Sequence, residues 1–396
     1  MRVRLVEDLG TIDAAAWDAL AGDDDPFVEH GFLHALERSG TVGPGSGWEP
    51  LHVTVWEGDR LVGAHPLYVK EHSFGEYIFD WSWADAASRL GIPYYPKLVS
   101  MVPVTPVTGT RLLVDPAADR PRVIGAMVDG LFEAAEKARA SSIHVLFLGQ
   151  HEIEVLAPHA RLRPRLTHQF HWHNDGYGTF DDFVERFRSS MRKQVRRERR
   201  RVAEAGLDIR VVEGPDLTER DWSALHRFYR DTCAKRGSFP YLTHELFELL
   251  RDRLAHRVVA ALAYRGGRPI AGSLNFEKGQ VLYGRCWGCT EEHDGLHFEL
   301  CYYRLIERAI ERGLSRFEAG AQGSHKLRRG LMPVAIHSAH WIRHPVLAAA
   351  VADYLPREAD ATRRQLAELA DHGPFRRDPE RGAPDKPSAR LRVLGY

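Results

Sequence analysis

Three consecutive strand-like segments near the middle of the chain constrain its fold most strongly. They cover residues 257–264, 268–277 and 280–288, and a pair of glycines supplies the turn between the first two. A helical segment, 296–312, ends at a glycine, and a short strand-like segment, 316–319, follows it. The order hairpin, helix, strand predicts a unit in which α and β elements are mixed.

The first 150 residues repeat this order. Residues 51–56 and 61–69 alternate apolar and polar side chains and predict a hairpin. A long helix is predicted over 122–139 and a buried strand over 142–148. The stretch 81–107, rich in aromatic residues and proline, is predicted as an irregular loop. The chain therefore divides into two units of similar architecture.

Other helices follow from periodicity and capping residues. Thr179 is a predicted N-cap, with Asp182 three residues later as a weak capping box. The C-terminal helix is expected to bend or break at Pro356. The segments predicted as helices are 14–20, 32–38, 179–205, 219–236 and 346–371. A loosely ordered tail is expected after the last of them.

Composition excludes several classes of protein. The 396 residues are 44% hydrophobic and 27% charged, which is typical of a globular chain. Lys plus Arg equals Asp plus Glu at 54 each, so a globally basic nucleic-acid binder is not expected. Four cysteines are too few for a disulfide scaffold. Without a secretory signal or an apolar run of about 18 residues, we expect a cytoplasmic protein with no integral membrane contact.

Four stretches carry a resemblance to a known family. They are residues 94–109 (beginning Y-Y-P-K-L), 170–177 (F-H-W-H-N-D-G-Y), 189–200 (S-S-M-R-K-Q-V-R-R-E-R-R) and 284–330. Together they resemble the FemAB-like group of predicted N-acyltransferases. That group is related to the Fem aminoacyltransferases, which build peptidoglycan bridges, and to the GNAT superfamily. Met191 departs from the basic residue expected before Arg192.

The resemblance implies an α/β fold of two tandem GNAT-like domains, with mixed central sheets flanked by helices and a cleft between the domains. We place the first domain at residues 1–160 and the second at 165–345, with a basic helix over 180–205. Residues 346–396 form the C-terminal helix and tail. The implied activity is the transfer of an activated acyl group to an amine.

The basic helix is the strongest charge signal. Eight of the fourteen residues from Arg188 to Arg201 are Lys or Arg, beside an apolar stripe at helical spacing. Arginine suits phosphate oxygens, so the helix predicts a site for tRNA or for a nucleotide diphosphate. The other interpretation is a solvated face paired with acidic neighbours. The residues assigned to phosphate binding here are Arg192, Lys193, Arg196, Arg197 and Arg200.

A glycine-bearing turn over 320–330 is the second candidate for donor binding. In GNAT folds such a turn presents backbone N–H groups to a donor. Its assigned residues are Gln322, Gly323, Lys326 and Arg329. The alternative is a structural turn whose basic residues are solvated.

Three residues are candidates for the general base that amine acylation favours. His297 and Glu299 lie at the start of the helix over 296–312, and Glu318 lies on the next strand. Because residues i and i+2 do not share a helix face, only one of the first two is expected to face the cleft. The alternative is that the enzyme catalyses the reaction by orienting its substrates and needs no dedicated base.

A zinc site is the weaker hypothesis for the cysteines. Cys286, Cys289, His293 and His297 have the spacing C-x2-C-x3-H-x3-H, but the cysteine pair falls late in a strand. We therefore predict no bound metal and no tightly bound cofactor.

Charged and aromatic residues in the first unit predict an acceptor pocket. The alternative is a loop packed on the sheet by its aromatic residues. The residues assigned to the pocket are Lys70, His72, Asp80, Trp83, Lys97 and, from the second unit, His171.

The favoured function is an acyl or aminoacyl transferase acting on a small-molecule or precursor amine. The donor is aminoacyl-tRNA, favoured because of the basic helix, or acyl-CoA. A non-catalytic protein that binds a cell-wall precursor or nucleic acid is the alternative from another class.

Overall fold

The computed structural model describes residues 1–159, 161–320 and 323–376. Gln322 and the predicted tail beyond residue 376 lie outside the described residues. The strands in these ranges are β1 Arg2–Val6, β2 Glu49–Pro50, β3 His52–Glu57, β4 Arg60–His65, β5 Tyr68–Lys70, β6 Lys97–Ser100, β7 Leu113–Val114, β8 Ser142–Leu148, β9 Arg163–His173, β10 Asp208–Glu213, β11 Val258–Arg265, β12 Arg268–Lys278, β13 Val281–Cys289, β14 Arg316–Glu318 and β15 Met332–Ile342.

The α-helices pack on both faces of these strands. In the described ranges they are α1 Ala14–Asp18, α2 His30–Arg38, α3 Trp81–Arg89, α4 Arg120–Lys137, α5 Gln150–Leu156, α6 Phe180–Glu185, α7 Ser189–Glu204, α8 Glu219–Lys235, α9 His244–Arg253, α10 Leu296–Phe298, α11 Arg304–Glu311 and α12 Pro345–Asp371. A π-helical segment, Glu299–Tyr303, joins α10 to α11. None of the described helices has the combination of length and apolar character that a membrane span needs.

Two sheets organise the described part of the chain. A four-stranded sheet has the order β1-β3-β4-β7, and an eleven-stranded sheet has the order β10-β11-β12-β13-β14-β9-β15-β8-β6-β5-β2. The predicted mixed α/β architecture is confirmed. β15 pairs with β9 from Met332 to His340 and with β8 from His337 to Ile342, so strands from both predicted units share one sheet. The domain boundary at residues 160–165 stays a prediction.

The two halves of the chain also share apolar packing. The ring of Phe27 lies 5.0 Å from that of Phe276 and 5.2 Å from that of Tyr283, measured between centroids. Phe32 contacts Phe276 as well. These aromatic contacts fix the N-terminal segment against β12 and β13.

The strongly patterned elements are confirmed. The predicted hairpin is β3 and β4, which pair antiparallel, and the predicted meander is β11, β12 and β13. The capping box of Thr179 and Asp182 is present at the start of α6.

The prediction of an irregular loop over 81–107 was wrong. The segment contains α3, whose Trp83 and Ala87 pack against Leu347 and Val351 of α12. It also contains β6, which lies between β5 and β8. Contacts that are distant in sequence create both elements, and local composition does not reveal them.

The predicted helix over 179–205 is two helices. The backbone N–H of Arg188 donates to the carbonyl of Pro374, 2.8 Å away, and the chain breaks between α6 and α7. Pro356 lies inside α12, which continues from Pro345 to Asp371 rather than breaking there.

Gly288 permits the close packing of α8 on β13, and we expect Gly288→Ala to destabilise the protein. A Cβ atom at this position would lie 2.0 Å from the carbonyl oxygen of Phe228, and backbone cannot move aside cheaply. We expect the free energy of unfolding to fall by at least about 1–3 kcal/mol in urea denaturation.

Gly125→Ala is the matched control. Gly125 lies in α4, and apart from its chain neighbours and the backbone of its own helix no described heavy atom lies within 4 Å of the position of its added Cβ. Alanine is the better helix former, so this variant should be neutral or more stable by up to about 1 kcal/mol. Equal stability of the two variants would contradict the packing argument.

Candidate active site

A cleft opens where two neighbouring strands separate. β13 and β14 run parallel and pair only from Val281 to Tyr283, whereas β13 continues to Cys289 beside β12. The gap has a volume of about 450 Å³. α8 and the 3-10 turn Ser324–Arg329 supply further walls, and Tyr77, Val104 and Pro106 reach it from the first half of the chain.

Lys326 is the buried cation of this cleft. Its side chain is only 2% exposed, and its Nζ donates to the carbonyl of Gly320 at 2.6 Å. No ion pair involves Lys326 among the described residues. Burial lowers the pKa of Lys326 to about 7, while the nearby Cys301 thiol opposes the shift. The amine therefore exchanges a proton near neutral pH.

His297 also lines the cleft, in an aromatic cluster. Its ring contacts those of Trp287, Tyr302 and His325, and the Tyr302 hydroxyl lies 2.9 Å from Nε2 of His325. Burial, with the adjacent His325 and cations, lowers the pKa of His297 to about 4. His297 is therefore neutral at pH 7.

Glu299 does not face the cleft. Its carboxylate accepts hydrogen bonds from Arg199 of α7 and pairs with Arg304 at 3.0 Å. It lines a separate groove with Arg200 and Leu207. His297 therefore faces the cleft, whereas Glu299 faces the opposite side of the helix that carries both residues.

Glu318 lies beneath the cleft, inside the sheet. It is 1% exposed, and its Oε2 accepts the backbone N–H of Thr108 at 3.1 Å. His171 of β9 lies beside it, with Nε2 3.6 Å from Oε2. Burial raises the pKa of Glu318 to about 7, although Arg316 opposes the shift. Neither Glu318 nor His171 is among the residues that line the cleft.

The basic helix α7 stands behind the wall formed by the turn Ser324–Arg329. Arg329 of that turn is buried, pairs with Glu198 of α7 at 2.9 Å and lies over the ring of Phe298. Arg329 is thus a structural link, whereas Gly323 and Lys326 line the cleft.

The exposed face of α7 divides into paired and unpaired cations. Arg192 and Arg196 both pair with Glu185, at 3.1 and 2.7 Å. Lys193, Arg197 and Arg200 are exposed and form no ion pair with any described residue. Within the described ranges, the predicted phosphate-binding face therefore retains three unpaired cations.

The predicted acceptor residues of the first half form a buried clamp rather than a pocket. Nζ of Lys97 donates to Glu76 at 2.9 Å, to Asp80 at 2.5 Å and to Ser73 at 2.7 Å. Both the lysine and Asp80 are almost fully buried. Burial raises the pKa of Glu76 to about 7. At Asp80 the effect of burial is outweighed by the charge of Lys97, which holds the pKa of that carboxyl below its usual range.

The other residues of that prediction surround the clamp. Nζ of Lys70 donates to the carbonyl of Phe74 at 3.0 Å, contacts His72 and lies 3.7 Å from the centre of the Trp48 ring. Trp83 packs against His144 and α12. The clamp holds the loop from His72 to Asp80, and this loop carries Tyr77 into the cleft.

The cleft lining is positively charged. It contains Arg236, Arg285 and Lys326, and no Asp or Glu from the described residues. Sequence reasoning missed both arginines, because helix ends and strand irregularities decide which way they face. It also missed Tyr302, five residues after His297. The π-helical segment between them brings residues at this spacing to one face.

The cysteines give no sign of a metal centre. All four have free thiols, and Cys286 and Cys289 lie on β13, as predicted. In the described ranges, no three or more His, Cys, Asp or Glu side chains are grouped so that they could hold a metal ion.

Several solved structures share this fold. FemX has a TM-score of 0.54 and 12% identity, covering 89% of this chain and 100% of FemX. The C-terminal domain of a putative lysylphosphatidylglycerol synthetase from Agrobacterium fabrum has a TM-score of 0.52 and 12% identity, covering 86% of this chain and 94% of that domain. L-PGS from Bacillus licheniformis has a TM-score of 0.51 and 11% identity, and the match covers 85% of this chain and 98% of L-PGS. The expected fold class, mixed central sheets flanked by helices, is confirmed, and these structures share the fold over most of the chain.

Sequence comparison gives the family. No curated protein sequence matches the chain at a significant level. The FemAB-like family model, described as peptidoglycan biosynthesis/recognition, matches residues 8–377. Because the match spans nearly the whole sequence, this chain belongs to the FemAB-like family.

Proposed function

We propose that the protein transfers an activated acyl group, favoured as the aminoacyl group of a charged tRNA, to an amine in the cleft between β13 and β14. The observation that carries the proposal is Lys326, a buried amine that lines the cleft and has no carboxylate partner among the described residues, and burial lowers its pKa to about 7. Such a group suits proton transfer during amide formation.

The reaction needs one proton acceptor and one leaving group. The acceptor amine attacks the ester carbonyl carbon, a C–N bond forms, and the tetrahedral oxyanion collapses with loss of the tRNA ribose oxygen. Neutral Lys326 takes the proton from the attacking nitrogen and returns it to the departing oxygen. The ring of His297, neutral at pH 7, and the walls of the cleft orient the two substrates.

The charge distribution supports a nucleic-acid donor. The three free cations of α7 lie on the helix that backs the Lys326 turn, so a polyanion bound there would be close to the cleft. Acyl-CoA remains the alternative donor.

We expect Arg197→Glu with Arg200→Glu to weaken binding of charged tRNA. Each reversal replaces a cation that has no ion-pair partner among the described residues. The plot of the logarithm of the tRNA binding constant against the logarithm of the salt concentration should therefore become less steep by about 2 to 4, and affinity at low salt should drop at least tenfold. Filter binding across a salt titration measures both.

The control for charge alone is Arg122→Glu with Arg364→Glu. These arginines are exposed on α4 and α12 and form no ion pair with any described residue. Unchanged tRNA affinity is expected. Equal losses in the two double variants would assign tRNA binding to net charge, not to α7.

Separate incubations with charged tRNA and with acyl-CoA test the function itself. Each donor carries a radiolabelled acyl group, and the reaction contains an added amine. The proposal expects transfer from tRNA above the uncatalysed rate. Transfer only from acyl-CoA would establish the alternative donor, and transfer from neither, with tight binding of one, would identify a binding protein. The family description favours a cell-wall precursor as the amine to test first.

A further inference from the structure

An irregularity in β13 sets Arg285 apart from its neighbours. Leu274 of β12 pairs with Cys286, and the next residue, Asn275, pairs with Gly284, so Arg285 has no partner in the ladder. A bulge of this kind bends the strand and re-aims a side chain. The half-buried Arg285 lines the cleft as a result.

The guanidinium of Arg285 is anchored at a single nitrogen. Its Nη2 donates to the carbonyl of Val104 and to Oγ1 of Thr105, both at 3.0 Å. An arginine has five N–H donors, and these two bonds use the pair on Nη2. The donors on Nε and Nη1 have no partner among the described residues, so a fixed cation retains three donors for a ligand.

Among the described residues, the cleft lining supplies no counter-charge for this arginine. The described lining residues include Arg236 and Lys326 as further cations and contain no carboxylate. A half-buried guanidinium with free donors forms its strongest hydrogen bonds with an oxyanion. Arg285 is therefore built to receive a negatively charged group of a ligand.

The position of Arg285 assigns that group to the acceptor. Arg285 is fixed to the segment of Val104 and Thr105, in the wall that also holds Tyr77. Lys326 lies in the turn that is linked to α7 through Arg329 and Glu198, where the donor is proposed to bind. We propose that Arg285 binds a carboxylate carried by the acceptor near its reactive amine. This inference rests on the proposed function.

Binding without a donor tests the assignment. Lysine and lysinamide share the same amines and differ in the carboxylate, and calorimetry can measure their affinities for the full chain. We expect lysine to bind at least about tenfold more tightly, because a charge-assisted hydrogen bond is lost with the amide. Arg285→Gln should abolish this preference, and Arg285→Lys should retain part of it.

Arg210→Gln is the control, because Arg210 lies outside the cleft and pairs with Asp208. It should keep the full preference. Equal binding of lysine and lysinamide, no lysine binding, or a preference that survives in Arg285→Gln would overturn the inference. Tighter binding of phosphoethanolamine than of lysine would assign the site to a phosphate instead.

The outcome separates this inference from the proposed function. The protein could show a carboxylate preference that depends on Arg285 and yet transfer no acyl group. That result would contradict only the transferase proposal. Acyl transfer that proceeds equally with lysine and lysinamide would contradict only the inference that Arg285 binds a carboxylate. If Arg285→Gln fails to unfold cooperatively, Arg285→Lys and the wild-type lysine preference still decide the question.

Discussion

Lys326→Met should lower kcat by about 10²- to 10⁴-fold and change KM little, because the variant loses the group that moves the proton and keeps the cleft. The wild-type rate should rise with pH through about 7, as Lys326 loses its proton and becomes a base. In the variant the inflection near pH 7 should be absent, and only the rise due to deprotonation of the acceptor amine at higher pH should remain. Steady-state rates from about pH 5.5 to 9 measure both effects.

Two further variants identify the titrating group. Lys326→Arg keeps a positive charge that cannot be removed at these pH values, so it should be as slow as Lys326→Met if Lys326 is a base. A rate close to wild type would assign Lys326 to stabilising the oxyanion instead. Glu318→Gln should retain the rise near pH 7, although the pKa of Glu318 also lies at about 7, because Glu318 is buried beneath the cleft.

Lys97→Met should destabilise the fold more strongly than Gly288→Ala. It leaves Asp80 and Glu76 buried without their cation, and breaking a buried ion pair on one side costs about 3–5 kcal/mol. The free energy of unfolding from urea denaturation should fall by that amount.

Neutralising the partners provides the rescue. Lys97→Met combined with Asp80→Asn and Glu76→Gln removes the unpaired charges and should recover most of the lost stability. Lys137→Met breaks an exposed pair with Glu7 and should cost less than about 1 kcal/mol. A triple variant as unstable as Lys97→Met would show that packing, and not unpaired charge, sets the loss.

The sequence predicts elements whose pattern is local. The hairpin β3–β4, the meander β11–β13 and the helices α4 and α8 follow from alternation, helical spacing and glycine turns. β15 was missed although it joins β9 to β8 in the eleven-stranded sheet, because these two partners lie far away in the sequence and no local signal identifies them. α3 and β6 were missed for the same reason.

The site depends even more on tertiary structure. The sequence brings His297 forward as a candidate base and Lys326 as a donor-binding residue of a glycine-bearing turn. It does not reveal that Lys326 lacks a carboxylate partner within the part of the chain that the structure describes, that Glu299 turns towards Arg199, or that a bulge aims Arg285. The charges of Lys70, Lys97 and Asp80 resemble those of a pocket, yet burial makes them a clamp.

The placement of β15 has a consequence for synthesis of the chain. β8 and β9 are complete by residue 173, but the strand that lies between them ends at Ile342. Until then, each strand presents an unpaired edge to the surroundings of the nascent chain. Open edges recruit strands from other molecules, so the interval before β15 emerges from the ribosome is the period of greatest risk of aggregation. A chain truncated before β15 would keep these edges of β8 and β9 unpaired permanently and should accumulate as inclusion bodies.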